Sequence, residues 1–324
     1  MHIRPLAALS GAFLGISALL LPSAAAQAAD HPHRPITVAH RGASAYAPEN
    51  TLAAVDAADD LGVAWVENDV QRTKDGELVI MHDTTLNRTT DVEQLFPDRA
   101  PWKVADFTLA EIKRLDAGSW FGARFAGERV PTLEEYLDKV SANHQNLLME
   151  LKAPELYPGI ESQTLQVLRE EGWLNRHHVK HRLIIQSFSA PSVRTVHHLR
   201  PDVKTGFLGT PAVADLPEYA AFTDQINPSY RTINAAYVAA VKELDGAHGK
   251  PLEVFTWTVN DGPNAVSVAR MGVTGIISNN PDVVRDAVAG AAREETPATE
   301  ATDEGTREET PAAVQEPVGA LAGR

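Results

Sequence analysis

Cysteine is absent from this 324-residue sequence, which excludes disulfide bonds and any lipid attached through a cysteine. Basic residues are fewer than acidic ones, with 29 Lys and Arg against 43 Asp and Glu and a formal net charge of −14. General nucleic-acid-binding proteins present basic surfaces, so this balance argues against such a role. Long apolar runs are also scarce, and only the one near the amino terminus approaches the length of a membrane span.

That apolar run has the features of a secretory leader. Arg4 precedes it, it extends from about Leu6 to Leu21, and the small residues of PSAAAQAAD follow it with a pattern that fits an A-x-A cleavage site. Because the run is short and interrupted by Gly and Ser, residues 1–29 are predicted to be a signal peptide, with an uncleaved anchor as the alternative. We therefore expect a secreted, extracellular protein without stable membrane insertion.

The carboxyl-terminal residues lack the patterns of a folded segment. From about Arg293 onward the sequence has no aromatic residues or apolar periodicity and is rich in Glu, Thr, Ala and Pro. Such a composition cannot bury a core, so residues 293–324 are predicted to be a disordered acidic tail, solubilising or, alternatively, docking. One domain, residues 30–292, remains between the two ends.

Short apolar strands and helical patterns alternate through this domain. Helical patterns cover, for example, residues 159–171, 234–244 and 263–271. Eight repeats of strand and helix predict an α/β fold, the (β/α)8 TIM barrel, whose sites lie at the carboxyl ends of the strands. The run TKDGELVIMHD and the region after it, up to Phe125, are predicted to be a small insertion between barrel strands 2 and 3. The eight predicted strands are ITVAH, AWVENDV, LLMELK, LIIQSF, KTGFLG, QINPSY, LEVFTWTVN and TGIISNNP.

Polar residues cluster where these strands end. His40 ends the first strand and is followed by Arg41, and His82 ends the apolar run of the insertion. Glu67 and Asp69 lie two positions apart on the second strand and so point to the same side, where they repel each other unless a cation lies between them. A solvated strand face is the alternative for the acid pair. Two histidines, an acid pair and an arginine together favour phosphoryl chemistry.

Six motifs follow one another along the chain: HRG, PENT, the E-x-D of Glu67 and Asp69, TKDG, the HD of His82 and Asp83, and the L-x-R-T-T of Leu86 to Thr90. In this order they resemble the glycerophosphodiester phosphodiesterase family, of secreted bacterial type. The resemblance implies hydrolysis of glycerophosphodiesters, such as glycerophosphocholine or glycerophosphoethanolamine, to sn-glycerol 3-phosphate and an alcohol. It also implies one divalent cation as cofactor, Ca²⁺ or Mg²⁺, and a small molecule as the only partner.

The resemblance also assigns roles to individual residues, including Glu150 and Lys152, which alternate with apolar neighbours on the strand LLMELK. One residue departs from the family pattern. Asn68 occupies the middle of the E-x-D motif, where the family commonly has an apolar side chain, and should face the helices, where a buried amide requires partners. The implied roles are acid–base catalysis for His40 and His82, metal binding for Glu67, Asp69 and Glu150, and phosphate binding for Arg41 and Lys152, with possible supporting roles for Glu49 as a further ligand, Gln186 as an orienting group and Trp257 as a wall of the pocket.

Two other classes of protein stay open at this point. A phospholipase D or sphingomyelinase D-like enzyme has the same barrel but acts on intact lipids, and the acidic composition and lack of a basic or apolar membrane face weigh against it. A non-catalytic barrel that binds lipid headgroups is the second, although such a protein is expected to have lost at least one of five residues that are all present here, namely His40, His82, Glu67, Asp69 and Glu150. No nucleic-acid or protein partner is predicted.

Overall fold

The computed structural model describes residues 34–294, so the predicted signal peptide and most of the predicted tail lie outside the described residues. Eight parallel strands in this region close into a barrel, because β1 pairs with both β2 and β9. A ninth strand, β3, pairs antiparallel with β2 and lies outside the barrel. The strands are β1 (Ile36–Ala39), β2 (Trp65–Arg72), β3 (Leu78–Ile80), β4 (Asn146–Leu151), β5 (Leu183–Ser187), β6 (Lys204–Leu208), β7 (Gln225–Asn227), β8 (Glu253–Thr256) and β9 (Gly275–Ser278).

Helices connect the barrel strands, which confirms the (β/α)8 prediction. The last helix ends at Glu294, just past the domain boundary predicted at residue 292. None of the helices within residues 34–294 is long and apolar enough to cross a membrane. These helices are α1 (Leu52–Asp60), α2 (Val92–Leu95), α3 (Leu109–Ile112), α4 (Leu133–Ala142), α5 (Ile160–Glu170), α6 (Arg176–His181), α7 (Ala190–Leu199), α8 (Leu216–Ala220), α9 (Ala235–Lys242), α10 (Gly262–Arg270) and α11 (Pro281–Glu294).

Apolar side chains fill the interior of the barrel below the strand ends. Successive side chains of a strand point to opposite faces, so every second residue faces inward. Gly275 makes room for one of them, because a Cβ at this position would lie only 2.6 Å from the ring of Phe255. This layer forms the floor on which the polar strand ends rest. Its buried members are Val38, Leu148, Ile184, Phe255 and Ile277.

The outward faces of the strands pack against the helices. On β2 this face carries Val66 and Val70, both fully buried in the largest apolar cluster. Asn68 lies between them and is also 0% exposed. Neither polar atom of its side chain has a hydrogen-bond partner among the described residues, so the partners expected from the sequence are missing.

The predicted insertion lies between β2 and β4, which are the second and third barrel strands, and it has its own core. Phe107 and Ile112 are fully buried there, and Trp102 packs against them. Of its other aromatic residues, Phe121 makes edge contacts with both Trp120 and Phe125. The insertion therefore packs largely on itself beside the carboxyl ends of the strands.

Candidate active site

The carboxyl ends of three neighbouring strands bring polar side chains into register. Asp69 of β2 pairs with Glu150 of β4, which in turn pairs with Gln186 of β5. Because side chains alternate along a strand, Glu67 points the same way as Asp69, and Lys152 the same way as Glu150. All five residues therefore lie around the same end of the barrel interior.

The three carboxylates among these five residues form a buried cluster. One oxygen each from Glu67, Asp69 and Glu150 lies within 4.8 Å of the other two. Burial, followed by repulsion from Asp69, raises the pKa of Glu67, and the same causes raise the pKa of Glu150 to about 8. Burial alone would also raise the pKa of Asp69, but the charges of Lys152 and Arg41 lower it to about 2. Such close carboxylates favour a cation between them.

An oxygen of Asp69 that makes no hydrogen bond within residues 34–294 supports the same conclusion. Asp69 Oδ1 is buried and has no hydrogen-bond partner among the described residues, whereas its Oδ2 accepts a hydrogen bond from Asn50 Nδ2 at 2.9 Å. Asn50 is itself 3% exposed, so this bond holds the carboxylate in place. Hard divalent cations prefer carboxylate oxygens as ligands. The cluster of Glu67, Asp69 and Glu150 therefore fits one divalent cation.

Two basic side chains flank the carboxylate cluster. Lys152 Nζ lies 2.9 Å from Glu150 Oε1 and 3.5 Å from Asp69 Oδ1, and Arg41 Nε lies 3.5 Å from Asp69 Oδ2. Their side chains keep 17% and 15% exposure, so both remain accessible from the cleft. Positive charge beside a cation site suits an anionic ligand, since it attracts oxygens that also bind the cation.

The turn after β1 aims Arg41 at this cluster. Arg41 and Gly42 both have positive φ, 56° and 76°, and the backbone N–H of Arg41 donates to Glu67 Oε2 at 2.9 Å. A side chain at Gly42 would collide with Ala54 of α1, since a Cβ there would lie 2.6 Å from its backbone. The close approach of turn and helix therefore requires glycine at this position.

His40 enters the cleft from β1, two positions after the inward-facing Val38. Its Nδ1 lies 2.6 Å from Asn279 Oδ1 and its Nε2 lies 4.0 Å from Glu67 Oε2. An amide oxygen only accepts hydrogen bonds, so Nδ1 is the donor and Nε2 carries the lone pair of the neutral ring. Burial, helped by the charge of Arg41, lowers the pKa of His40 to about 4. A neutral imidazole with a free Nε2 is able to accept a proton.

His82 is oriented by a carboxylate instead of an amide. Its Nδ1 lies 2.7 Å from Asp83 Oδ1. Burial alone would raise the pKa of Asp83, but hydrogen bonds from Arg88 and His82 lower it to about 2, so this carboxylate is ionised and accepts from Nδ1–H. The buried side chain of Gln71 holds the backbone on both sides of His82, because its Nε2 donates to the carbonyl oxygens of Met81 and Asp83, each at 2.7 Å. His82 therefore presents Nε2 to the cleft.

Glu49 lies beside the site but outside the carboxylate cluster. Its Oε1 accepts a hydrogen bond from Arg41 Nη1 at 2.8 Å, and both of its oxygens accept hydrogen bonds from Arg88. Burial alone would raise the pKa of Glu49, but the two guanidinium groups lower it. The structure thus gives Glu49 arginine partners, where the sequence suggested a further metal ligand.

An apolar wall closes the other side of the cleft. The rings of Phe188 and Trp257 meet edge to face with centroids 5.5 Å apart, and Lys152 Nζ lies 5.5 Å from the Phe188 centroid. Trp257 Nε1 donates to the carbonyl oxygen of Asn227, which fixes the indole. A small organic group can rest against this wall beside the charged residues. The cleft is lined by His40, Arg41, Glu67, His82, Glu150, Lys152, Gln186, Phe188, Leu208, Trp257, Thr258 and Ile277.

The structure gathers nearly all of the predicted site residues around one cleft, with Asp69 in the carboxylate cluster and Glu49 behind Arg41. It also reveals residues to which the sequence gave no role in the site. Asn50 and Arg88 lie in the PENT and L-x-R-T-T motifs, which were the available signal for them. Asn279 lies at the end of the predicted strand TGIISNNP. No local pattern pointed to Gln71.

The barrel, two oriented imidazoles and two basic side chains around a carboxylate cluster together define an enzyme that acts on an anionic substrate. Residues 40–283 match the model of the glycerophosphoryl diester phosphodiesterase family. The chain belongs to this family, and it is a phosphoric diester hydrolase.

Individual relatives are similar over most of their length. A glycerophosphodiester phosphodiesterase of Bacillus subtilis is 37% identical over 266 residues, which cover 78% of this chain and 86% of that protein. One from Caldanaerobacter subterraneus is 36% identical over 251 residues, covering 77% and 96%. A solved phosphodiesterase of Oleispira antarctica, in complex with the product sn-glycerol-3-phosphate, has a TM-score of 0.67 and 29% identity, covering 79% of this chain and 97% of that one.

Proposed function

We propose that this protein hydrolyses glycerophosphodiesters, such as glycerophosphocholine and glycerophosphoethanolamine, to sn-glycerol 3-phosphate and the free alcohol. The observation that carries the proposal is the convergence of His40 and His82 on a cleft that also holds the carboxylate cluster, Arg41 and Lys152. A glycerophosphodiester is a small anion that carries a glycerol and a second alcohol on its phosphate, and the cleft offers the positive charge of Arg41 and Lys152 beside the wall of Phe188 and Trp257.

Glu67, Asp69 and Glu150 would hold one divalent cation, Ca²⁺ or Mg²⁺, which when bound neutralises charge on the phosphate oxygens. Arg41 and Lys152 bind the phosphate and stabilise the charge that develops during cleavage. Both ions accept three carboxylates as ligands, so either is a candidate.

The two histidines move the protons of the reaction. Cleavage requires that one proton leave the attacking hydroxyl and that another reach the oxygen of the departing alcohol. His40 and His82 each donate from Nδ1, to Asn279 and Asp83, which leaves both Nε2 atoms for these transfers. The attacking hydroxyl is that of water or that of the substrate's own glycerol, which would give a cyclic phosphate that water then opens.

The test is release of glycerol 3-phosphate from glycerophosphocholine and glycerophosphoethanolamine, with intact phosphatidylcholine in a parallel reaction. His40→Gln and His82→Gln are each expected to lower kcat by about 10²- to 10⁴-fold, whereas His181→Gln, on the exposed end of α6, keeps the wild-type rate. Headgroup release from the intact lipid alone would replace this proposal with a lipid-surface enzyme. A protein that binds these substrates without turnover would be a headgroup-binding barrel.

The proposed location of the protein, outside the cell, rests on the leader pattern alone. Residues 1–29 support export from a bacterial cell, and detection of the cleaved protein outside the cell tests this part of the proposal.

A further inference from the structure

The guanidinium group of Arg88 lies between two carboxylates and binds both. Its Nε and Nη2 donate to Asp83 Oδ2 and Oδ1 at 2.6 and 3.1 Å. Its Nη1 and Nη2 donate to Glu49 Oε2 and Oε1 at 2.8 and 2.7 Å. All three nitrogen atoms of the guanidinium are therefore used, and each carboxylate is held by two bonds.

Each of these carboxylates also holds a residue of the cleft. Asp83 Oδ1 lies 2.7 Å from His82 Nδ1, and Glu49 Oε1 accepts a hydrogen bond from Arg41 Nη1 at 2.8 Å. His82 and Arg41 line the cleft, whereas Arg88, Asp83 and Glu49 are not among its lining residues. Arg88 can thus act on the reaction only through the two carboxylates.

We propose that Arg88 is a positioning residue that holds His82 and Arg41 in their places across the cleft by fixing Asp83 and Glu49. Asp83 and Arg88 belong to the insertion, while Glu49 belongs to the segment between β1 and α1. Arg88 therefore joins two segments that are separate in the chain and connects His82, which the insertion supplies, to Arg41 of the turn after β1. This inference rests on the proposed function, since the histidine and the arginine must share one substrate.

The geometry requires arginine at this position. Arginine presents a planar fork of five N–H donors that matches two carboxylates, whereas the ammonium of lysine is a single flexible point charge. The side chain of Arg88 is 43% exposed, those of Asp83 and Glu49 are 30% and 13% exposed, and Glu49 has a second partner in Arg41, so the pairs with Arg88 contribute modestly to the free energy of folding. Loss of Arg88 is therefore expected to disturb orientation in the site far more than stability.

The experiment compares Arg88→Ala with wild-type protein in release of glycerol 3-phosphate from glycerophosphocholine. Groups that orient a catalytic side chain typically contribute about 10- to 100-fold, so a loss of this size in kcat/KM is expected. Millimolar guanidinium should restore part of the lost activity, and Arg88→Lys should recover little. Adding Asp83→Asn to Arg88→Ala should lower activity only slightly more, because residues that act as a unit are not additive.

A matched control separates orientation from stability. Arg99 lies in the same insertion, is 34% exposed and pairs with Glu111 at 2.6 Å, but has no link to the cleft. Arg99→Ala should leave kcat/KM unchanged and should not respond to guanidinium. Nitrogen-15 NMR of the histidine rings supplies a readout that needs no turnover: His82 should be an Nδ1–H tautomer in wild-type protein and a mixture in Arg88→Ala.

An activity of Arg88→Ala within about twofold of wild type would overturn the inference. So would an activity loss no larger than that of Arg99→Ala without rescue by guanidinium, or an unchanged His82 tautomer in Arg88→Ala. If wild-type protein releases no glycerol 3-phosphate, the proposed function fails, and the NMR comparison still decides whether Arg88 positions His82.

Discussion

Replacing Asn68 by valine is expected to stabilise the protein. The amide is fully buried on the outward face of β2, flanked by Val66 and Val70, and neither of its polar atoms has a partner among the described residues. Burying an unpaired amide costs about 1–3 kcal/mol in protein mutational data, and valine also suits a strand. We therefore expect Asn68→Val to raise the free energy of unfolding by about 1–3 kcal/mol, or about 2–4 °C in Tm for each kcal/mol.

Thermal and urea unfolding measure this change, and Asn227→Val is the matched control. Asn227 is also fully buried on a barrel strand, but its Nδ2 donates to Gln186 at 2.8 Å and its Oδ1 accepts from the backbone of Phe255 at 3.3 Å. Loss of these bonds leaves buried partners unpaired, so this variant should lose about 1–3 kcal/mol. The same substitution thus has opposite signs at the two sites.

Activity supplies the second readout for Asn68→Val. The side chain points away from Glu67 and Asp69, so glycerophosphodiester turnover should be unchanged. A lower Tm for Asn68→Val would refute the reasoning, because it would mean that the amide has partners in solution that stabilise it. A loss of activity at unchanged stability would contradict the assignment of this side chain to the outer face.

Three further predictions concern the metal, an acid-sensitive turn and the histidine partner. Ca²⁺ or Mg²⁺ at 100 times its Kd should raise the free energy of unfolding by about 2.7 kcal/mol in a thermal-shift assay, and Asp69→Asn should abolish this gain. Burial alone would raise the pKa of Asp116, but hydrogen bonds from three backbone N–H groups lower it to about 2 from 3.8. The stability advantage of wild type over Asp116→Asn should therefore be complete above about pH 4 and disappear as the pH falls through about 2, as measured by urea unfolding; an advantage that persists at the lowest pH would contradict this. Asn279→Ala should lower kcat about 10- to 100-fold, because it frees the His40 ring, whereas Asn264→Ala on α10 should not, and equal rates for both variants would argue against the orienting bond.

Much of the fold and site follows from local patterns in the sequence. Apolar runs that end in polar or charged residues place His40 and Glu150 at strand ends, because a barrel collects the carboxyl ends of its strands on one face. The two-residue period of a strand then separates inward from outward side chains, which is why the outward direction of Asn68 was predictable. The absence of hydrogen-bond partners for the Asn68 side chain within the described part of the chain was not predictable, since it depends on the helices packed against that side chain.

The contacts that orient the site come from residues far apart in the chain. The bond between His40 and Asn279 joins positions 239 residues apart and exists because β9 closes the barrel against β1. Arg88 and Glu49 are 39 residues apart and meet only because the insertion folds beside the turn after β1. Contacts between such distant residues leave no periodic pattern in the sequence. The sequence therefore predicts the reacting groups better than the residues that orient them.

The most direct test of the account is release of glycerol 3-phosphate from glycerophosphocholine by protein treated with EDTA, before and after Ca²⁺ or Mg²⁺ is restored. We expect no release in EDTA, recovery with one of the two ions, and no recovery for Glu150→Gln, which removes one carboxylate of the cluster. Full activity in EDTA would contradict the metal site. Absence of release with either ion, from glycerophosphocholine and glycerophosphoethanolamine alike, would contradict the proposed reaction itself.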